Sequence, residues 1–326
     1  MAVKKEKMTQ NDTPTILFWG ASEFAFPSLR ALLEAGFRVL GVVTTPDKPV
    51  GRKQLLTPPP TKVFAESKKI PVYQPETLKP ATYALDLPEA DLYVVVAYGK
   101  IIPRVIIEKP RLGALNIHPS LLPRWRGPSP IQFTILSGDT ETGVTIIKMD
   151  ELMDHGDIVA NPKSEIRNPK ITYPELHDEL AKAGAKLLIE TLPKWIRGEI
   201  EPVPQDHMKA TFSKILSKGD GRIDWDKKAI EIERQIRAFT PWPGSWTVWP
   251  RKDRMHRVRI DEALALDYEI LDGGAGYVSQ TENYPLLVKT SKGSLAMIAL
   301  TIEGGKPMAT DSFLKGHSDI ISSSLV

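Results

Sequence analysis

Asn116 and His118 stand two residues apart at the end of an apolar run, Gly113–His118. In a strand that spacing turns both side chains to one face. An amide N–H beside an imidazole can polarise a carbonyl and hold the oxyanion that forms when a nucleophile adds to it. A strand-end histidine can equally be satisfied by local hydrogen bonds, and Asn-x-His alone does not choose between the two. A second polar group follows the run Gly143–Met149, where the chain reads Asp150-Glu-Leu-Met-Asp154-His-Gly156-Asp157. Gly156 suits a tight turn, and a carboxylate beside it can orient His118 or take a proton through water. Taken alone, the same stretch is an ordinary acidic turn.

His118, Asp154, His155 and Asp157 raise the question of a metal. Neither His-Glu-x-x-His nor a comparable ligand spacing occurs, so no metal is expected. The loop Gly20-Ala-Ser-Glu23 lacks the second and third glycines of a dinucleotide fingerprint, and no P-loop occurs, which disfavours a nicotinamide or nucleoside-triphosphate cofactor. Two basic stretches remain. Asp47–Lys62 carries Lys48, Arg52, Lys53 and Lys62, and Arg251–Arg259 holds Arg251, Lys252, Arg254, Arg257 and Arg259 with one aspartate. Such runs are usually solvated faces. One in each half of the chain makes a phosphate backbone a fair partner.

These residues need a scaffold. Thr15–Trp19, Arg38–Thr45, Asp91–Tyr98, Gly113–His118 and Gly143–Met149 read as strands, with helices at Phe26–Ala35 and Thr61–Lys69. Near-continuous Val/Ile runs separated by helical patterns predict a mostly parallel sheet covered on both faces, with ligands beyond its carboxyl ends. Thr172-Tyr-Pro-Glu175 has capping-box spacing and opens a long helix that Gly198 stops. After a polar stretch, Glu199–Lys218, comes a helix at Ile230–Phe239. Short β-like pieces follow at Ser245–Trp249, Arg257–Asp261, Ala275–Gln280, Leu286–Thr290 and Leu295–Ile302. Short strands spaced by turns predict a small antiparallel barrel.

Composition sets the bounds. The chain has 326 residues, 41% hydrophobic and 25% charged. That is room for about two globular domains. Cysteine is absent, which excludes disulfide frameworks, zinc fingers, iron–sulfur clusters and thiol nucleophiles. With 43 Lys+Arg against 40 Asp+Glu the net charge is +3, so nucleic-acid contact would rest on the local patches. The charged start has no apolar run behind it, and no run is long enough to span a membrane, so a cytoplasmic protein is expected. The first fourteen residues read as a tail. Without a coiled coil or a long apolar surface helix, a monomer is expected.

Asn116-Ile-His118, Ser120-Leu-Leu-Pro-Arg-Trp-Arg-Gly127 and Asp154-x-Gly156-Asp157 together resemble the core of the folate-dependent formyltransferases. Phe24–Leu29, Thr45–Arg52, Val95–Pro103, Gly221–Trp225, Ile236–Gly244 and Glu303–Met308 extend the resemblance over nearly the whole chain, and narrow it to the branch acting on methionyl-tRNA. The resemblance implies an α/β Rossmann-like formyltransferase domain (14–198), a linker (199–218) and a smaller C-terminal OB-like β-barrel that helps hold tRNA (219–326). It implies 10-formyltetrahydrofolate as co-substrate and the methionyl α-amine of charged initiator tRNA as acceptor, with a tetrahedral oxyanion on the way. By similarity Asn116, His118 and Asp154 are catalytic. Ser120, Leu121, Leu122, Pro123 and Asp150 would line the folate site, and Lys48, Arg52, Lys53, Arg251 and Lys252 would face tRNA.

The chain departs from the family at Gly20-Ala-Ser-Glu23, at His155 where Thr is frequent, and in a less basic Gly51-Arg-Lys-Gln-Leu-Leu56 loop. A sugar-nucleotide N-formyltransferase would share the same three catalytic residues, and a formyl-folate hydrolase would use water in place of the amine. A folate- or RNA-binding module without activity would not need all three.

Overall fold

The computed structural model describes residues 14–51, 54–78 and 87–326. The first thirteen residues of the expected tail, and Arg52 and Lys53, lie outside them. Contacts divide the chain into two units. The first comprises Met1–Pro130, Glu141–Glu165 and His177–Ser213, and the second Ile131–Thr140, Ile166–Leu176 and Lys214–Val326.

The first half of the chain runs β1 (Thr15–Gly20), α1 (Phe26–Glu34), β2 (Arg38–Val43), β3 (Lys48–Val50), β4 (Leu55–Thr57), α2 (Pro60–Ser67), β5 (Val72–Tyr73), β6 (Leu92–Val96), α3 (Arg104–Ile107), β7 (Ala114–His118) and α4 (Pro130–Ser137). It continues with β8 (Glu141–Gly143), β9 (Thr145–Lys148), β10 (Ile158–Ala160), β11 (Lys163–Glu165) and α5 (Tyr173–Ile196).

The first unit is built on a seven-stranded sheet in the order β10-β9-β7-β6-β1-β2-β5. β1, β2, β5, β6 and β7 run parallel, while β9 and β10 are antiparallel additions at one edge. Continuous apolar runs are what a strand buried on both faces requires. Accordingly every residue of β6 is buried, and so is β1 beyond Thr15. One face of the sheet carries Leu17, Trp19, Tyr93, Val95 and Ala114 in a single apolar cluster. Period-two alternation along β7 puts Asn116 and His118 on the same face as Ala114. Strand order reverses between β1 and β6, the crevice where open α/β sheets bind ligands.

Gly20 closes β1 with its Cα 's missing side chain essential to the fit: a Cβ there would lie 2.8 Å from the Val96 carbonyl oxygen and from the Ala25 Cβ. The capping box is present in part, since the Glu175 carboxylate accepts from the Thr172 N–H at 2.8 Å and from its hydroxyl at 2.7 Å. The mostly parallel sheet is thus a mixed one, because β9 pairs antiparallel with β7 and β10 antiparallel with β9.

The second unit contains α6 (Ala229–Phe239), β12 (Ser245–Arg251), β13 (Arg254–Leu266), β14 (Val278–Ser279), β15 (Leu287–Lys289), β16 (Ser294–Ile302), β17 (Met308–Ala309) and α7 (Thr310–His317). The strands pair antiparallel in the order β12-β13-β16-β15-β14, with β17 on β16. The C-terminal tail bridges the two outer strands. Val326 and Val248 exchange N–H···O bonds at 2.9 Å, while the Val278 N–H donates to the Ser323 carbonyl at 2.9 Å and its carbonyl accepts from the Ser322 N–H at 2.8 Å. Both edges are thereby paired, which gives the expected barrel-like closure and leaves no long exposed edge there. Trp249, Phe313, Ile232, Ile236 and Leu295 lie in the enclosed core.

Candidate active site

β7 ends on the two residues of interest, and its antiparallel neighbour fixes them in register: Asn116 opposite Ile147 and His118 opposite Thr145. β9 then leads into the acidic turn. The Met149 N–H still bonds to the Ala114 carbonyl at 2.8 Å, and the Lys148 N–H to the Asp157 carbonyl at 2.9 Å, so the turn is pinned at both ends. Gly156 packs its Cα against the Lys148 carbonyl, leaving no space for a side chain. Within this tight loop Asp154 adopts φ +52°, a left-handed conformation that aspartate tolerates better than most residues.

The loop carries Asp154 back to β7. Its Oδ1 lies 3.3 Å from Asn116 Nδ2 and 3.4 Å from His118 Nδ1. Its Oδ2 accepts the Gly127 N–H at 2.8 Å. His118 is 4% exposed, and its Nε2 lies 3.0 Å from the Trp125 carbonyl oxygen. Both ring nitrogens therefore face acceptors, an arrangement that suits the doubly protonated ring. Burial pushes the His118 imidazole down, but the Asp154 charge and the hydrogen bonds to Asp154 and Trp125 outweigh it, and the net direction is up. For Asp154 burial works upward. The His118 charge, the His118 and Gly127 hydrogen bonds and Arg126 overcome it, and the carboxyl is held below its ordinary value.

The residues expected to line a folate site divide. Ser120, Leu122 and Pro123 build the turn after β7. Ser120 Oγ donates to the Arg124 carbonyl at 2.6 Å, and the Thr145 hydroxyl donates to the Ser120 carbonyl at 2.6 Å while accepting the Leu122 N–H at 3.0 Å. The Leu122–Pro123 peptide is cis. Ser120 and Leu122 are fully buried, and Leu121 packs on Gly143. Asp150, by contrast, lines a cavity of about 670 Å³ with Ile107, Ala114, Met149, Leu152 and His155. Its carboxylate also accepts from His155 Nδ1 at 2.6 Å.

Comparison with known proteins adds the decisive observation. Residues 15–192 match the formyl transferase family and residues 215–318 its C-terminal domain. The chain belongs to the formyltransferase family. A methionyl-tRNA formyltransferase of Chloroflexus aurantiacus is 44% identical over 94% of this chain and 98% of its own length, and one of Desulforamulus reducens is 40% identical over 92% and 94%. Among solved structures, the N-formyltransferase of Helicobacter canadensis, in complex with folinic acid and dTDP-3-aminofucose, superposes with a TM-score of 0.62 at 20% identity. It covers 86% of this chain and 98% of that one, a likeness of fold.

Some groups of this candidate site were not legible in the sequence motifs. Residues 199–213, read as linker, pair along the loop after β7: the Arg126 N–H donates to the Thr211 carbonyl at 2.9 Å, and the Ser213 N–H to the Arg126 carbonyl at 2.7 Å. Gln205 donates from Nε2 to the carbonyls of Asp154 (2.9 Å) and Gly156 (2.7 Å). The only signal for these residues was a polar, Pro-containing composition, which also describes a free linker.

The residues expected to face tRNA also separate. Lys48 begins the β3/β4 ribbon, whose Leu55 and Leu56 are exposed. Arg251 is already engaged within its unit. It donates to both Asp319 carboxylate oxygens at 2.7 and 2.8 Å and lies over the Trp249 ring. Lys252, next to it at the β12–β13 turn, is exposed. No helix among the described residues is long and apolar enough to cross a membrane, and no group of three or more metal-ligating side chains occurs among them.

Proposed function

We infer that this protein transfers the formyl group of 10-formyltetrahydrofolate to the α-amine of methionyl initiator tRNA. The observation that carries the reading is the meeting of Asn116, His118 and Asp154 at the carboxyl end of β7, in a chain matched over almost its full length by methionyl-tRNA formyltransferases. The cavity beside Asp150 mixes Ile107, Ala114, Met149 and Leu152 with the charged Arg104, Glu108, Arg111 and Glu151, and Asn116, His118 and Asp154 do not line it. The folate ring is therefore assigned, by resemblance to the family, to the Asp150–Asp154 turn that leads to the catalytic carboxylate. Bound there, the folate supplies an activated formyl carbon.

The protein's own groups do the rest. Asn116 Nδ2 has two hydrogens. One is directed at Asp154, and the other can donate to the oxygen that becomes negative when the amine adds. His118, held charged between Asp154 and the Trp125 carbonyl, adds a fixed positive charge close to that oxygen. Asp154 keeps this imidazolium in place. With adjacent water, it passes the proton released by the attacking amine to the departing nitrogen, so no net proton is gained or lost. Positioning and oxyanion stabilisation carry the rate. By the same reading Lys48, Arg52, Lys53, Arg251 and Lys252 contact tRNA phosphates, the protein acts in the cytoplasm, and it works as a monomer.

The test is an acceptor comparison. Purified protein with 10-formyltetrahydrofolate is offered methionyl initiator tRNA and, separately, an amino-sugar nucleotide. Formyl-methionyl-tRNA as the preferred product is the expected result. Transfer to the amino sugar alone would remove tRNA as substrate, and formate release without any acceptor would make the protein a hydrolase.

A further inference from the structure

Asp154 is held at its carboxylate by Gly127, and separately at its backbone. The Gln205 carboxamide, 4% exposed, sits under the acidic turn. Its Oε1 accepts from Arg126 Nη2 at 2.8 Å and from Arg126 Nε at 3.2 Å. A guanidinium only donates, so this contact fixes which end of the amide is oxygen. Nε2 must then point the other way, and both its hydrogens are used, one on the Asp154 carbonyl and one on the Gly156 carbonyl. Gln205 thus bridges the two residues flanking His155 and clamps the turn in the conformation that gives Asp154 its φ of +52°.

Arg126 is fixed in turn. It is buried, and its Nη2 also lies 2.8 Å from His207 Nδ1, which must accept, so the His207 proton sits on Nε2. The His207 ring stacks on His155 with centroids 4.1 Å apart and planes 3° from parallel. The same Arg126 is followed by Gly127, whose N–H holds the Asp154 carboxylate. One dipeptide therefore governs both ends of Asp154: the side chain of Arg126 through Gln205, and the peptide N–H of Gly127 directly.

We propose that Gln205, oriented by Arg126, is a positioning residue for formyl transfer, which keeps the Asp154 carboxylate within reach of Asn116 and His118. This rests on the reading of Asp154 as a catalytic group. Gln205 touches backbone alone at the turn, so its loss should displace the carboxylate without removing any side chain from the end of β7.

The experiment uses the full chain and three variants, Gln205→Met, Asp154→Asn and the pair combined, with turnover, KM for both substrates and thermal unfolding measured for each. Gln205→Met keeps the length of the side chain and removes its donors. The expected result is a fall in kcat of about a hundredfold, the scale of a misplacement near 1 Å, with both KM values nearly unchanged. In the combined variant the second change should add almost nothing to the loss from Asp154→Asn, because both act through one carboxylate.

Wild-type turnover for Gln205→Met would overturn the proposal, as would a rise in KM at constant kcat or losses that multiply in the combined variant. Wild-type turnover for Asp154→Asn would overturn the catalytic reading beneath it, an outcome read from that variant alone. Should Gln205→Met fail to fold, Arg126→Lys gives the same reading. A point cation cannot hold Gln205 Oε1 and His207 Nδ1 in one plane, so the same kcat-only loss is expected, and its absence counts against the clamp.

Discussion

The Gly127 N–H donates to Asp154 Oδ2 at 2.8 Å, joining two loops 27 residues apart in sequence. Gly127 has φ +109°, and a Cβ there would lie 2.6 Å from the Ser213 carbonyl oxygen. Neither the backbone conformation nor the space admits a side chain. Gly127→Ala should cost roughly 2 kcal/mol or more of stability and lower turnover as well. Denaturant unfolding beside a formylation assay checks both. Loss of stability with full turnover would separate the Gly127 N–H from the chemistry.

Asn116→Ala and Asp154→Asn should each lower kcat by about a hundredfold to ten-thousandfold, the range for losing an oxyanion donor or a proton-handling group. Both side chains lie at loop or strand-end positions with partial exposure, so the variants should still fold. Circular dichroism and single-turnover kinetics together test this.

The His118–Asp154 pair makes stability depend on pH in a definite direction. The folded-state value of Asp154 lies below the ordinary 3.8, so its stabilising effect is present above that value and is lost as pH falls through the lowered one. The folded-state value of His118 lies above the ordinary 6.5, so its effect is full below 6.5 and is lost as pH rises through the raised one. The pair therefore stabilises most between about pH 4 and 6.5. The stability difference between the protein and Asp154→Asn should be greatest in that window and shrink above it, as urea titrations at a series of pH values would show.

Lys252→Ala and Arg251→Ala should differ. Lys252 is exposed at a turn, and its loss should reduce the slope of log affinity for tRNA against log salt by about one, with unchanged unfolding temperature. Arg251 is tied to Asp319, so Arg251→Ala should lower the unfolding temperature too. Binding titrations at several salt concentrations, with thermal melts, distinguish the two.

The parallel core was legible because strands buried on both faces admit little except Val, Ile, Leu and aromatics. β1 and β6 announce themselves by composition. Asn116, His118 and Asp154 were legible for the opposite reason, as polar groups at the ends of such runs. The antiparallel return of β9 was not, since an apolar run of that length has no direction written in it. Nor was Gln205, whose partners are two main-chain carbonyls. Backbone groups are the same at every position, and nothing in a residue's type records which ones it will meet. The hydrogen bonds that fix Ser120 and Leu122 in the turn after β7 were not legible either, since both run to or from main-chain groups.

The chain passes between its two units five times, at 130/131, 140/141, 165/166, 176/177 and 213/214. A ribosome delivers residues from the amino end, and domains tend to fold as their chain emerges. Here β1 to β7 can pair early, but Gln205, Thr211 and Ser213 arrive last of all the first unit's residues. The nascent sheet would therefore stand complete while the Asp154 backbone still lacked its Gln205 contacts, and the arrangement of Asn116, His118 and Asp154 would be finished only in the final step of that unit's synthesis.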